Sequence, residues 1–468
     1  MRTVWAVANQ MIAEGLRMKI AVVFLILVGL AVVGLPFAIA GDASLTGRVQ
    51  SFLSYAFTAS GFLLALLTIF LSWSLSDDMV QRHVFLILTK PVPRWQFMLG
   101  KWLGIVLLDV AFLMFSGLVT YGMVHYIRWR YPPIEERFDK AELENEVLVA
   151  RHAIKARVPD FEKPSDEEFE RNLEEGLYAN IPKFNAAEER TRLRNKNEAR
   201  WRVVGPLEAR EFEFEGVLCD RSPKREVQIR YKTEISSYPP DEIFRAIWRV
   251  GDARKGTPTY QVPVRHIIGR RHTIRVPADA IAADHTLHVE FFNENPFPQE
   301  PQYRNVIEFR KADEVELLFT VGTFEGNLIR LLILMTCKLM FLAAVSLMMT
   351  AVFSFPVACL STFTIYVLAG ARPFISEALD LSSDDTAAMF SSVKEFLVQS
   401  ITYVMNALCW AIPNFSYFDG VETLVNGRNV GLVWVLQAVT DLVLLRTSLV
   451  LGMAMLLFQR REVAEVSL

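Results

Sequence analysis

The sequence predicts a polytopic α-helical membrane protein of six spans, carrying a large extracytoplasmic insertion built from a helical segment and an antiparallel β-sandwich. Three observations predict it. Apolar residues make up 52% of the chain and its mean hydropathy is +0.26, above the ordinary soluble range. They concentrate in blocks at both ends, most of them near the ~20 residues that an α-helix needs to cross about 30 Å of hydrocarbon. Between the blocks lies a highly charged middle in which, from Pro206 on, hydrophobicity alternates with the period of two that marks half-buried strands. The net charge of -3 gives no basis for binding nucleic acid.

Residues 1–19 place Val4, Trp5, Ala8, Met11, Ile12 and Leu16 at helical spacing, with Arg2, Asn9, Gln10, Glu14, Arg17 and Lys19 elsewhere around the helix. This predicts an amphipathic helix lying in the membrane interface, in contact with lipid, and ending in positive charge. Ile20 to Ala40 supplies the first span. Ala38-Ile39-Ala40 looks like the cleavage site of a secretory leader, but the apolar core is longer than such leaders carry. Phe52 to Leu75 is the second span and Trp102 to Val124 the third, with Tyr126, Trp129 and Tyr131 suited to the far interface. Spans one to three thus occupy residues 20–130.

The second and third spans are joined by residues 76–101, SDDMVQRHVFLILTKPVPRWQFMLGK, which carry Arg82, His83, Lys90, Arg94 and Lys101. Short Lys/Arg-rich connections stay in the cytoplasm, so this loop is expected there. Pro91 and Pro93 bar a helix across Lys90 to Arg94, whereas Asp78 to Thr89 can form a short helix along the membrane, burying Met79, Val84, Phe85 and Leu88. A cytoplasmic helix held between two spans is what a membrane subunit needs to receive motion from a soluble partner.

At this point the chain resembles the permease subunits of ABC-2-type transporters, above all the branch associated with multi-copper-enzyme maturation. In that pattern an acidic residue, a Gly-Thr pair, a short apolar helix, a "skPvsR" turn and a "GK" follow the second span. Asp78, the run Thr89-Lys90-Pro91-Val92-Pro93-Arg94 and Gly100-Lys101 match it in order and spacing, while Arg82 and His83 stand where the family favours Gly-Thr. The resemblance covers the membrane portion only. It implies an ATP-binding-cassette transporter whose separate cytoplasmic ABC ATPase subunit, carrying ATP and Mg, docks on this loop as a coupling helix. The residues it marks for that coupling are Asp78, Arg82, His83, Phe85, Leu86, Lys90, Pro91, Pro93, Arg94 and Lys101. It further implies a second permease copy or a paralogue.

Residues 131–205 are charge-dense and helix-prone. Pro164-Ser165-Asp166-Glu167-Glu168 offers a Ser N-cap with Glu three residues on, and Phe169, Leu173 and Leu177 form an apolar edge. Residues 206–325 are expected to be the β-sandwich. Arg225 to Ile235 alternates Val227, Ile229, Tyr231 and Ile235 with polar neighbours, and similar patterns recur at Glu211–Val217, Phe244–Val250, His272–Val276, Leu287–Phe291, Val306–Arg310 and Val315–Val321. Short strands with turns and no helices between them argue for antiparallel sheets, here placed outside the cytoplasm, where they would meet substrate or an extracytoplasmic partner or ligand.

Residues 326–468 return to the membrane. Asn327 to Val352 is the fourth span, Phe355 to Gly370 the fifth and Leu432 to Phe458 the sixth. Within 371–430, Phe396 to Ile412 is apolar enough to enter the membrane, and the family resemblance implies re-entrant or interfacial helices on the outer side. The basic end Gln459-Arg460-Arg461 belongs in the cytoplasm, as does the N-terminus, in an inner (cytoplasmic) membrane.

Asp109, Lys338, Asp441 and Arg446 fall inside the spans. Each would cost about 3 kcal/mol facing lipid at the bilayer centre, so each is expected to face protein or water. At about 1.5 Å per residue from the cytoplasmic ends, Asp109 lies at about 11 Å, Arg446 at about 18 Å and Lys338 at about 21 Å. Asp109 is therefore expected to pair with Arg446 or Lys338, whether to fix helix packing or to line a substrate path.

Other chemistry is not indicated. No G-x-x-x-x-G-K-[ST] occurs, because Trp95 stands where the glycine ahead of Gly100-Lys101 is required, so ATPase activity and its cofactors are expected on another polypeptide. Cys219, Cys337, Cys359 and Cys409 show no metal spacing, and only Cys219 lies in the charged middle. His285 and His288 point to opposite faces of a strand, so even with His266 or His272 no metal site is expected. Met335, Met340, Met348 and Met349 read as packing, and Trp248 as core beside Phe244, Ala246 and Val250. The competing readings are a membrane anchor or receptor presenting the sandwich to a ligand or glycan, and a polytopic enzyme, for which the spans hold no convergent acid, base or nucleophile cluster.

Overall fold

The computed structural model describes residues 2–17, 19–38, 44–80, 93–130, 136–178, 185–235, 243–296, 305–385, 403 and 412–460. Arg82, His83, Phe85, Leu86, Lys90 and Pro91 lie outside them, as does the stretch 396–412 apart from Tyr403 and Ile412. The chain divides into two compact units, Met1–Ala150 with Gly322–Leu468, and Arg151–Val321.

The first unit is helical. It opens with α1 (Arg2–Arg17) and α2 (Ile20–Ala38), followed by α3 (Leu45–Leu71), α4 (Trp73–Val80), α5 (Arg94–Arg130) and α6 (Glu136–Glu146). After the second unit come α9 (Phe324–Val352), α10 (Phe355–Asp385), α11 (Val421–Val425) and α12 (Leu432–Arg460). Among the described residues five helices are long and apolar enough to cross a membrane: Leu45–Met79, Arg94–Arg130, Phe324–Val352, Phe355–Ile375 and Leu432–Arg460. The Ile20–Ala38 helix joins them only as part of a bent pair with α1. Their starts are encoded locally: Ser44 Oγ accepts from the Gly47 N–H at 2.9 Å to cap α3, and Thr323 caps α9 through Gly326.

Both ends of the stretch expected as a loop over 76–101 are helical: one helix runs through Ser76 and Asp78 to Val80, and another starts at Arg94. Pro93 starts α5 instead of blocking it. Its carbonyl accepts from the Gln96 N–H at 2.9 Å, and a residue ahead of the first turn has no N–H that the helix needs.

The second unit holds α7 (Glu162–Glu174), α8 (Ala186–Arg202) and most of two β-sheets. Strands β1 (Val149–Lys155), β2 (Val203–Val204), β4 (Glu226–Ile235), β7 (Arg271–Pro277), β9 (Ile307–Phe309) and β10 (Glu316–Thr323) form one sheet in the order β1-β10-β4-β9-β2, with β7 on β4. Strands β3 (Ala209–Phe214), β5 (Ile243–Val250), β6 (Tyr260–Ile267) and β8 (Leu287–Asn293) form the other, in the order β3-β8-β5-β6. Phe212, Trp248 and Phe291 from the second sheet meet Tyr231 and Phe309 from the first in one aromatic core, with Trp248 and Tyr231 centroids 4.7 Å apart. Such burial is the main stabilisation of a unit this size.

Several elements differ from expectation: β1 and β2 are strands within the stretch 131–205 expected to be helical, completed by pairing with the distant strands β10 and β9. Helix α7 begins at Glu162, not after Ser165: Pro164 sits in its first turn, where no N–H is required, and the Ser165 hydroxyl donates to the Phe161 carbonyl at 2.6 Å. Leu173 and Leu177 are exposed, whereas Phe169 is buried. Strand β6 was not anticipated, because Pro263 in its middle argues against a central strand. It is an edge strand, where a missing N–H is tolerated.

Candidate functional site

The residues bordering segment 81–92 converge on one buried ammonium. Lys101, in the second turn of α5, is fully buried, with Nζ 2.6 Å from Asp78 Oδ2, 3.0 Å from Glu14 Oε2 and 2.5 Å from Ser74 Oγ. The Ser74 hydroxyl in turn donates to Glu14 Oε2 at 2.5 Å. One cation thus joins three chain segments: Glu14 from α1, Ser74 and Asp78 from α4, and Lys101 itself. Two carboxylates around one ammonium compensate its desolvation, which for an isolated buried charge would cost several kcal/mol.

The electrostatics act on Glu14 in opposite directions. Half-burial pushes its carboxyl up, but the Lys101 ammonium together with hydrogen bonds from Ser74, Lys101 and Gln10 outweighs this and leaves it below the ordinary value. Glu14 is therefore held as a carboxylate, which keeps α1 attached.

Helix α1 is seated by glycine. A Cβ on Gly100 would lie 2.6 Å from Val7 Cβ and 2.9 Å from the Val4 carbonyl; one on Gly104 would lie 2.6 Å from Met11 Cβ and 2.9 Å from the Ala8 carbonyl. Small residues four apart let two helix backbones approach closely, so Val4, Val7, Ala8, Met11 and Gly15, the buried stripe of α1, lie along α5. The helix expected to rest in the membrane interface is thus docked on α5 through its apolar stripe.

Two further polar contacts lie between α3 and α5. Thr68 Oγ1 donates to Asp109 Oδ2 at 2.8 Å, and Ser60 Oγ and Ser116 Oγ are 2.6 Å apart, all four residues buried. With Lys101 these contacts step away from segment 81–92 along both helices together, as antiparallel helices in one fixed register must. The far border of the segment is also anchored. Arg94 donates to the carbonyls of Gln459 at 2.8 Å and Phe458 at 3.3 Å, and Phe97 stacks on Phe458 with centroids 6.1 Å apart. A cation on the last carbonyls of a helix satisfies orphan acceptors and opposes its negative end.

These positions correct several expectations. Asp78 and Lys101, marked in the sequence for coupling, are buried and paired with each other, each the other's counter-charge. Pro93 is exposed and Arg94 is engaged with α12. Asp109 does not pair with Arg446 or Lys338; its described partner is Thr68. Arg446 bonds Asp441 at 3.0 Å, five residues away, because Val439–Thr447 is π-helical and brings such residues onto one side. Lys338 lies 3.7 Å from Asp419, and both border a cavity of about 120 Å³ with Tyr366 and Phe415.

In the second unit His266 and His272, considered in the sequence only as additions to His285 or His288, stack on each other with ring centroids 4.0 Å apart. His266 Nδ1 and the Tyr231 hydroxyl are hydrogen-bonded at 2.7 Å. Burial, and next His272, hold His266 down to about 4. Among the described residues no group of three or more His, Cys, Asp or Glu side chains is placed to hold a metal ion. Comparison of the chain with family models, with curated proteins and with solved structures gives no match.

Proposed function

We propose that this chain is the permease subunit of an ATP-binding-cassette transporter of the ABC-2 type, with ATP hydrolysed by a separate subunit docked on segment 81–93. In this reading α2 and the five long apolar helices make six spans of an inner (cytoplasmic) membrane. Both termini are cytoplasmic, the β unit is extracytoplasmic, and two copies, or one copy and a paralogue, form an export path for the substrate.

What supports the reading above all is the clamp around Lys101. A docking segment transmits force only if its ends are fixed to the helices that must move. Here the near border is held through Asp78 and Lys101 to α1 and α5, and the far border through Arg94 to the end of α12. A push on the segment would then move three membrane helices as one body, without relying on flexible linkage.

The test is affinity purification from the native host in mild detergent, with ATP turnover of the eluate. A nucleotide-hydrolysing subunit should accompany the chain and be lost when residues 81–92 are scrambled. Its absence, or a scrambled segment that retains both partner and turnover, would leave the anchor or receptor reading in its place.

A further inference from the structure

The six-stranded sheet of the second unit contains an interruption that the fold does not require. Strand β4 pairs with β10 at Gln228–Arg230 and with β9 at Thr233–Ile235, so it changes partner at Tyr231 and Lys232. The connection between those two strands, which includes Arg310 to Val315, passes out of the ladder at that point, and a cavity of about 450 Å³ opens there. Its floor is β4, and its walls are that connection, the end of β1 and the turn leading into β7. The volume lies within the range of small-ligand sites.

Its chemistry is one-sided. Lys155, Arg230, Lys232, Arg271, Arg310 and Lys311 line it against the carboxylates of Asp313, Glu314 and Glu316, six cations to three anions, an excess of three positive charges. Part of this is internally compensated: Lys155 is ion-paired with Asp313, Glu316 stands opposite Arg230 in register, and Lys232 lies 3.7 Å from Glu234 on its own strand. The rest is not. Arg271, Arg310 and Lys311 form no ion pair with described residues, and Lys232 faces Arg271 as direct cross-strand partner. Like charges opposite each other on a sheet cost stability, a cost that the Lys232–Glu234 contact at 3.7 Å offsets only in part.

We propose that this cavity binds a small polyanion bearing two or more phosphate groups, drawn by that positive excess. Arg271 at the start of β7 and Arg310 just past β9 provide planar paired donors for phosphate oxygens, and Lys232 and Lys311 add point charges. The inference concerns the β unit alone and stands whether or not the chain is a permease.

The test is calorimetric titration of the full-length chain in phosphatidylcholine nanodiscs with pyrophosphate, with glycerol 3-phosphate as a lipid-headgroup arm and citrate as a carboxylate arm. Pyrophosphate should bind saturably, one per chain, and more weakly as salt rises. Arg271→Ala with Arg310→Ala, both exposed side chains, should weaken it at least ten-fold with the thermal midpoint unchanged, and Lys311→Gln alone should weaken it a few-fold. Arg254→Ala, away from the cavity, should leave it unaltered. Absence of saturable binding, equal binding by the double variant, or glycerol 3-phosphate or citrate binding as tightly as pyrophosphate would overturn the proposal.

Discussion

Lys101 and Asp78 face each other across 2.6 Å at the point where two long helices converge on segment 81–92, and the ammonium is fully buried. The contact is short in space but joins residues on either side of segment 81–92, so it ties the two helix ends together like a clasp. Glu14 reaches the same ammonium at 3.0 Å and fastens α1 to the clasp.

Removing the cation should expose the cost of the clasp. Lys101→Met strands Asp78 in a buried setting, and loss of one partner of a buried pair costs about 3–5 kcal/mol. Adding Asp78→Leu should recover most of that loss, since a buried pair and an apolar pair of similar size are nearly equivalent. Thermal midpoints of both single variants and the double variant in detergent test this, and a loss in the double equal to the sum of the two single losses would show that the two residues do not interact.

The glycine seat makes a steric prediction. Gly104→Leu places its first side-chain carbon 2.6 Å from Met11 Cβ, so α1 must lift, at about 1–3 kcal/mol for overpacking. A cysteine substituted for buried Ala8 should resist maleimide in the parent and react when Gly104→Leu is added.

Arg94 is expected to act through the helix end it caps. Arg94→Ala should cost roughly 1 kcal/mol at the α12 terminus and raise amide exchange of residues 456–460 about five-fold, while exchange in α9 stays unchanged. If the permease reading holds, partner-dependent ATP turnover should fall in the same variant and be partly restored by Arg94→Lys.

The β unit should weaken in mild acid through His266. Its folded value, about 4, lies below the ordinary 6.5, so the unfolded chain takes up the proton first. Stability contributed by the neutral ring is therefore complete above pH 6.5 and declines as pH falls from there to about 4. Denaturant midpoints followed by tryptophan fluorescence should drop across that window in the parent and less steeply in His266→Asn.

Much of the architecture was legible because it is written in local patterns. The long apolar runs were found by hydropathy alone, and strands β3, β4, β5, β7, β8, β9 and β10 by alternation, since both depend on near neighbours. Strand β6 escaped because Pro263 forbids a central strand, and only the sheet order shows that its position is an edge. The Ser165 cap was misread because an apt capping sequence also fits inside a helix whose first turn holds Pro164.

By itself the sequence determined where the membrane-length helices and most of the strands lie. Only the tertiary structure decided what its charges do: that Lys101 turns inward to Asp78 and Glu14, that Asp109 takes Thr68 and not a cation, and that Arg230, Arg271 and Arg310 surround one cavity. The physical reason is that a buried charge is settled by whichever partner lies within about 3–4 Å, and that choice depends on how distant segments pack rather than on spacing along the chain.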